Sequence, residues 1–152
     1  MLYRSKPMDL HDLAESIATE ASEDSGLDDR PHADPAVLAV AYLGLRLVPS
    51  RTVGPCLIED RIYYPRHACE TAGAWDLAHE TGHFLARQAR ARLTPDEEEL
   101  VASRIGCALL LPRRAFLRDV TATRADPCKL VELWPLVTLT IVRRRLDEVA
   151  LF

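Results

Sequence analysis

Apolar residues recur at helical spacing near the start of the chain, where Leu10, Leu13, Ala14, Ile17, Ala18 and Ala21 share one face behind Asp9, a residue suited to the N-cap. The pattern predicts an amphipathic helix over 9–21. The stretch 22–34 is rich in Asp, Glu and Ser, carries Gly26 and Pro31, and reads as an exposed connector. Asp34 and Pro35 then open a second helix, which Gly44 should end, because Pro fits the first helical position and Gly the one past the last. Between Leu45 and Tyr64 the period shortens. Residues 45–48, 56–58 and 61–64 read as short strands, with Glu59-Asp60 as a turn, so a small antiparallel sheet is expected.

Helical spacing returns at about Ala74, where Trp75, Ala78, Gly82, Leu85, Ala86 and Ala89 form one apolar stripe. Thr94-Pro95-Asp96-Glu97 has the T-x-x-E form of a capping box, so a fourth helix starts at Pro95 and runs to about Leu111, where Pro112 breaks it. Residues 113–120, 129–134 and 138–149 read as shorter helices separated by Asp126-Pro127 and Pro135. The expected architecture is a single α+β domain over 1–152. It is mostly helical, with the sheet before the third helix and a helical C-terminal subregion from about 113.

Composition narrows the classes of function. The 152 residues are 48% hydrophobic and 28% charged, which supports a real core and excludes disorder. The longest apolar stretches, 36–45, 106–111 and 136–142, fall well short of the roughly 18 residues a membrane span needs. Asp9, Asp12 and Glu15 near the N-terminus are unlike a signal peptide, so a cytoplasmic protein is expected. Cys56, Cys69, Cys107 and Cys128 contain no C-x-x-C pair, which suggests neither a disulfide scaffold nor a cysteine metal site. A net charge of -4 argues against nucleic acid as the main partner.

The chemistry sits in the third helix, at His79-Glu80-Thr81-Gly82-His83. Histidines at i and i+4 lie one turn apart on one face, so two imidazoles can converge on one metal ion at about 2.0–2.1 Å. Glu80 points about 100° around the helix, where its carboxylate reaches a water without being a ligand. The plainer reading is two satisfied histidines, yet such a pair buried beside a glutamate is costly without a partner.

A third ligand must come from elsewhere. Asp96-Glu97-Glu98-Glu99 is the nearest downstream supply, although acidic residues there also complement the helix dipole. Glu99 heads a stripe of small residues, Ala102, Ser103 and Gly106, that would let the fourth helix approach the third opposite Gly82. Glu98 lies nearer the Val101, Ile105, Ala108 face. Asp96 shares the Glu99 side one turn earlier and stays as the alternative.

These residues resemble the ImmA/IrrE metallopeptidases, whose pattern is an A-H-E-x-G-H helix followed by E-x-x-A-N-x-F-A-x-x-L-L-M-P. The corresponding segments are Ala78 to His83 and, in one unbroken register, Glu99 to Pro112. Ser103 stands where the family usually has Asn, and Ile105-Gly106 replaces Phe-Ala. The resemblance implies a minimal zincin-like, gluzincin-type site with zinc on His79, His83 and Glu99 and with Glu80 as the base. It implies cleavage of a helix-turn-helix repressor that controls a mobile element or a stress response.

Tyr63, Tyr64 and His67, just before the active-site helix, are candidate oxyanion donors. The ligand set would also accept Mn²⁺, Fe²⁺ or Co²⁺. A competing reading takes Arg113-Arg114, Arg118 and Arg143-Arg144-Arg145 as a docking or DNA-binding face of a non-catalytic regulatory module, with or without a metal.

Overall fold

Asp9 opens the first helix, α1 (Leu10–Ser25), by accepting a hydrogen bond from the His11 amide at 2.9 Å, and Gly26 closes it at φ 72°. The computed structural model describes residues 9–28, 34–51, 54–66, 70–89 and 92–150. The helix runs one turn beyond the apolar pattern, to Ser25, whose hydroxyl donates to the Ala21 carbonyl at 2.7 Å. Gly26 is the first residue that enters the left-handed region without steric cost.

Asp34 caps α2 (Pro35–Val37), which widens into a π-helical turn over Leu38–Tyr42, closed by the bond from Leu43 N to Leu38 O at 3.0 Å. The widened turn buries Leu38 and Ala39 and leaves Val40 and Tyr42 exposed. Gly44, at φ 70°, then releases the chain into the sheet.

The strands are β1 (Arg46–Ser50), β2 (Cys56–Ile58) and β3 (Arg61–Pro65), in the order β1-β3-β2. Glu59 and Asp60 turn β2 back onto β3 in an antiparallel pair, with Glu59 at φ 55°. β1 pairs with β3 in parallel, so the sheet is mixed rather than wholly antiparallel. Alternation of apolar residues fixes which face of a strand is buried, but it does not say which neighbour the strand takes. Here β3 takes the middle position, between β1 and β2. Ile62, on β3, is fully buried against Ala39 and Leu45.

The helical part comprises α3 (Glu70–Gln88), α4 (Pro95–Leu110), α5 (Arg113–Thr123), α6 (Pro127–Leu133) and α7 (Leu139–Val149). α3 begins a turn before the apolar stripe, in a polar segment that periodicity alone does not mark. The class is α+β and mostly helical, as the pattern predicts. One core joins α1, α3 and α4 through Ala14, Ala18, Leu85, Val101 and Ile105. A second joins the end of α4 to α5, α6 and α7 around Phe116, Leu130, Trp134 and Val142. Among the described residues no helix is long and apolar enough to cross a membrane.

An ion pair bridges the two cores. Arg145 of α7 is fully buried and gives Nη1 and Nη2 to the Glu15 carboxylate at 2.8 and 2.6 Å, while its Nε donates to the Leu111 carbonyl at 3.1 Å. This two-pronged contact satisfies a charge that would otherwise be prohibitive inside the protein. The three consecutive arginines therefore separate: Arg145 is buried, Arg144 donates to Glu148 at 3.0 Å, and Arg143 is exposed.

Candidate metal centre

The site is built where α3 and α4 touch backbone to backbone. A Cβ on Gly82 would lie 2.3 Å from the Ala102 carbonyl oxygen, and one on Gly106 would lie 3.0 Å from the His79 amide nitrogen. Two glycines facing each other's helix thus allow an approach that no other residue permits. The Thr94–Glu97 capping box, with reciprocal bonds of 3.0 and 3.2 Å, fixes where α4 starts and so places residues 98 and 99 level with the histidines.

His79 Nε2 lies 3.0 Å from one oxygen of Glu99, and His83 Nε2 lies 2.9 Å from the other. Ligand atoms on a tetrahedral zinc with bonds of about 2.0–2.1 Å stand about 3.3 Å apart, so these three side chains could close on one ion with small adjustments. The rings of His79 and His83 meet edge to face, with centroids 4.8 Å apart. His79, Glu80 and His83 also bring ligand-capable atoms within 4.8 Å of one another. Both histidines are nearly buried, with 15% and 13% of their side chains exposed, whereas the Glu99 side chain is 61% exposed and faces the opening. Asp96, the alternative ligand, is exposed and bonds to neither histidine.

Glu98 has a role that its place nearer the packing face did not suggest. Its Oε1 meets His83 Nδ1 at 2.9 Å and accepts a hydrogen bond from Arg87 Nε at 2.7 Å. A carboxylate on the outer nitrogen fixes the tautomer in which Nε2 offers its lone pair inward. The sequence signal for this is Arg87, one turn beyond His83 on the same face of α3, since a cation there invites an acidic partner across the helix contact. On His79 the corresponding contact is weaker, from Nδ1 to the Ser103 hydroxyl at 3.2 Å.

Burial shapes the electrostatics. It pushes the Glu80 carboxyl above its ordinary range, with His83 opposing and Glu99 adding to the shift. It pushes His79 below its ordinary range against the pull of Glu99, which favours the neutral imidazole a metal requires. Burial alone would raise Glu98, but the bonds from His83 and Arg87 outweigh it and hold that carboxylate low. Asp76, three residues before His79, is raised by burial.

The cleft over these groups has a volume of about 440 Å³ and is lined by Asp76, His79, Glu80, His83, Arg87 and Glu99 on the helical side and by Pro55, Cys56 and Leu57 on the other. Among the described residues β2 is an edge strand, so one side of its backbone has no strand beside it at this opening. Tyr63 and Tyr64 lie on the middle strand and are not among the lining residues, although Tyr63 is the register partner of Cys56, which is. His67, the third candidate donor, lies outside the described residues.

Comparison with known proteins gives a family. A family model described as the IrrE N-terminal-like domain, Peptidase M78, matches residues 42–144, from the π-helical turn to the middle of α7. No curated protein matches the chain significantly. Among solved structures, a Mycobacterium tuberculosis transcriptional regulator shares the fold at a TM-score of 0.66 and 18% identity, covering 88% of this chain. The match covers 46% of that protein, so the chain spans about half its length.

Proposed function

Because the chain belongs to the IrrE N-terminal-like, Peptidase M78 family, we propose that it is a zinc-dependent endopeptidase that cleaves one specific protein, a helix-turn-helix transcriptional repressor, in the cytoplasm. One observation carries the catalytic part: the Nε2 atoms of His79 and His83 meet the two oxygens of Glu99 at 3.0 and 2.9 Å, with Glu80 buried beside them at the foot of an open cleft. In this reading His79, His83 and Glu99 hold the ion, and the whole chain works as one domain. Two imidazoles and a carboxylate are a donor set that suits zinc and leaves a fourth position open.

An ion held by His79, His83 and Glu99 would supply Lewis acidity to a water and to the scissile carbonyl. Glu80 accepts the proton of the attacking water and delivers it to the leaving amine. A positioned carboxylate can serve as base and then as acid in such transfers. Glu98 and Ser103 keep the two imidazoles turned inward. The outer edge of β2, three residues long, offers the substrate backbone a short pairing site, so an extended segment can be laid along the cleft. The cleft is open to solvent along its length, which suits binding an extended segment of a protein substrate.

The test separates the metal from the chemistry. Purified protein should carry about one zinc per chain, which Glu80→Gln keeps and His83→Ala loses. Incubation with a purified candidate helix-turn-helix repressor that is the substrate should give two fragments with the parent and none with Glu80→Gln. Cleavage by Glu80→Gln at the parent rate would refute the role given to Glu80.

A further inference from the structure

The two histidines are unequally supported. His83 Nδ1 meets a carboxylate at 2.9 Å that is itself gripped by Arg87, whereas His79 Nδ1 has only a neutral hydroxyl at 3.2 Å. Charge-assisted bonds are roughly twice as strong as neutral ones, so hydrogen bonding alone leaves the His79 ring the looser of the two. Other groups must hold it.

We infer that Trp75 and Arg144 form a positioning platform for His79 and thereby tie the C-terminal helix to the metal centre. The inference rests on the reading of His79 as a metal ligand. Trp75 precedes His79 by one turn of α3, and the indole lies against the imidazole with centroids 5.6 Å apart and planes tilted by 31°. That separation is within the range at which aromatic rings attract. The indole is only half-buried and needs a cover of its own. Arg144 of α7 provides it, with its guanidinium carbon 5.7 Å from the centre of the indole ring.

Arg144 is in turn anchored. Its Nε donates to Glu148 at 3.0 Å, Glu148 also accepts from Arg145 Nη1 at 3.4 Å, and Arg145 is locked to Glu15 of α1. A continuous set of contacts therefore runs from α1 through α7 to the indole and ends on the imidazole. Metal–ligand bonds tolerate errors of only about 0.2 Å, so a ring left free to swing about its side-chain torsions loses affinity. Trp75 and Arg144 act through His79 and touch no reacting atom.

Zn²⁺ affinity of the full chain, measured by competition with a chromophoric chelator, tests this alongside tryptophan emission during the same titration. Trp75→Leu should weaken zinc by about 10-fold or more, the scale seen when groups behind a ligand are removed. Trp75→Phe, which keeps an aromatic face, should restore part of the loss. Arg144→Met should weaken zinc in the same direction, whereas Arg143→Met, at the exposed neighbour, should not. Zinc should alter the indole emission of the parent but not of Trp75→Leu, whose remaining Trp134 is buried in the second core. Should Trp75→Leu fail to fold, Arg144→Met decides. Parent-like zinc affinity in Trp75→Leu, or in Arg144→Met where Trp75→Leu does not fold, would overturn the platform while leaving the metal site standing. No zinc on the parent would overturn the metal reading, and the platform with it.

Discussion

Changing Gly82 to Ala tests the helix contact on which the whole site depends. The added Cβ would sit 2.3 Å from the Ala102 carbonyl oxygen, and ordinary contact begins at 3.4 Å, so α4 must retreat by about 1.1 Å. Glu99 rides on α4, and its spacings of 2.9 and 3.0 Å to the two histidines would open toward 4 Å, beyond hydrogen-bond reach. Alanine gains about 1 kcal/mol over glycine in helix propensity, while forcing an atom into a packed contact costs about 1–3 kcal/mol. The net is a loss of up to about 2 kcal/mol. Gly73→Ala, on the same helix, is the control: nothing lies within 4 Å of its added Cβ, so it should gain roughly 0.5–1 kcal/mol. At about 2–4 °C per kcal/mol for a chain of this size, thermal melts resolve the opposite signs. Zinc competition should give parent affinity for Gly73→Ala and at least a 10-fold loss for Gly82→Ala. A Gly82→Ala protein that melts above the parent and binds zinc as tightly would refute the close approach.

Two further outcomes follow from the buried charges. Glu98→Gln removes the charge behind His83 and should weaken zinc by about 10-fold with little change in the metal-free melting temperature; unchanged affinity would mean that Glu98 does not orient His83. Glu15 is held below its ordinary value of 4.5, because the hydrogen bonds and charge of Arg145 outweigh the effect of burial, which alone would raise it. A carboxyl lowered in the folded state contributes stability that is present above pH 4.5 and lost as pH falls through the folded value. Glu15→Gln should therefore cost about 3 kcal/mol at neutral pH by leaving Arg145 poorly paired, and should flatten the acid limb below 4.5. Identical neutral and acid unfolding midpoints for the two proteins would contradict the pairing.

Much of the site is readable because its geometry is local. The pairing of His79 with His83 and the offset of Glu80 follow from helical spacing, and the capping box at Thr94 and Glu97 marks the start of the next helix. The preference for Glu99 over Glu98 rests on the small stripe at Ala102, Ser103 and Gly106, with Asp96 on the same side as the alternative. The structure brings Glu99 to both histidines. The role of Glu98 was hidden because helical spacing sets a side chain's direction and not its reach, and its carboxylate swings across to His83 from the edge of the packing face. The fate of the arginine run was equally illegible. Three adjacent positions on a helix point about 100° apart, and only the packing of α7 on α1 decides which one is buried.

By itself, then, the sequence determined most of the helices, the caps at Asp9, Asp34 and Thr94, the α+β class and the one helical turn that carries two histidines and a glutamate, since each depends on residues within a few positions of one another. Tertiary structure alone decided the parallel pairing of β1 with β3, the cleft between β2 and α3, the Glu98 carboxylate behind His83 and the long-range contacts that tie Glu15 to Arg145 and Arg144 to Trp75. These unite residues separated by 15 to 130 positions, whose encounter depends on how whole helices pack and not on any local rule of spacing.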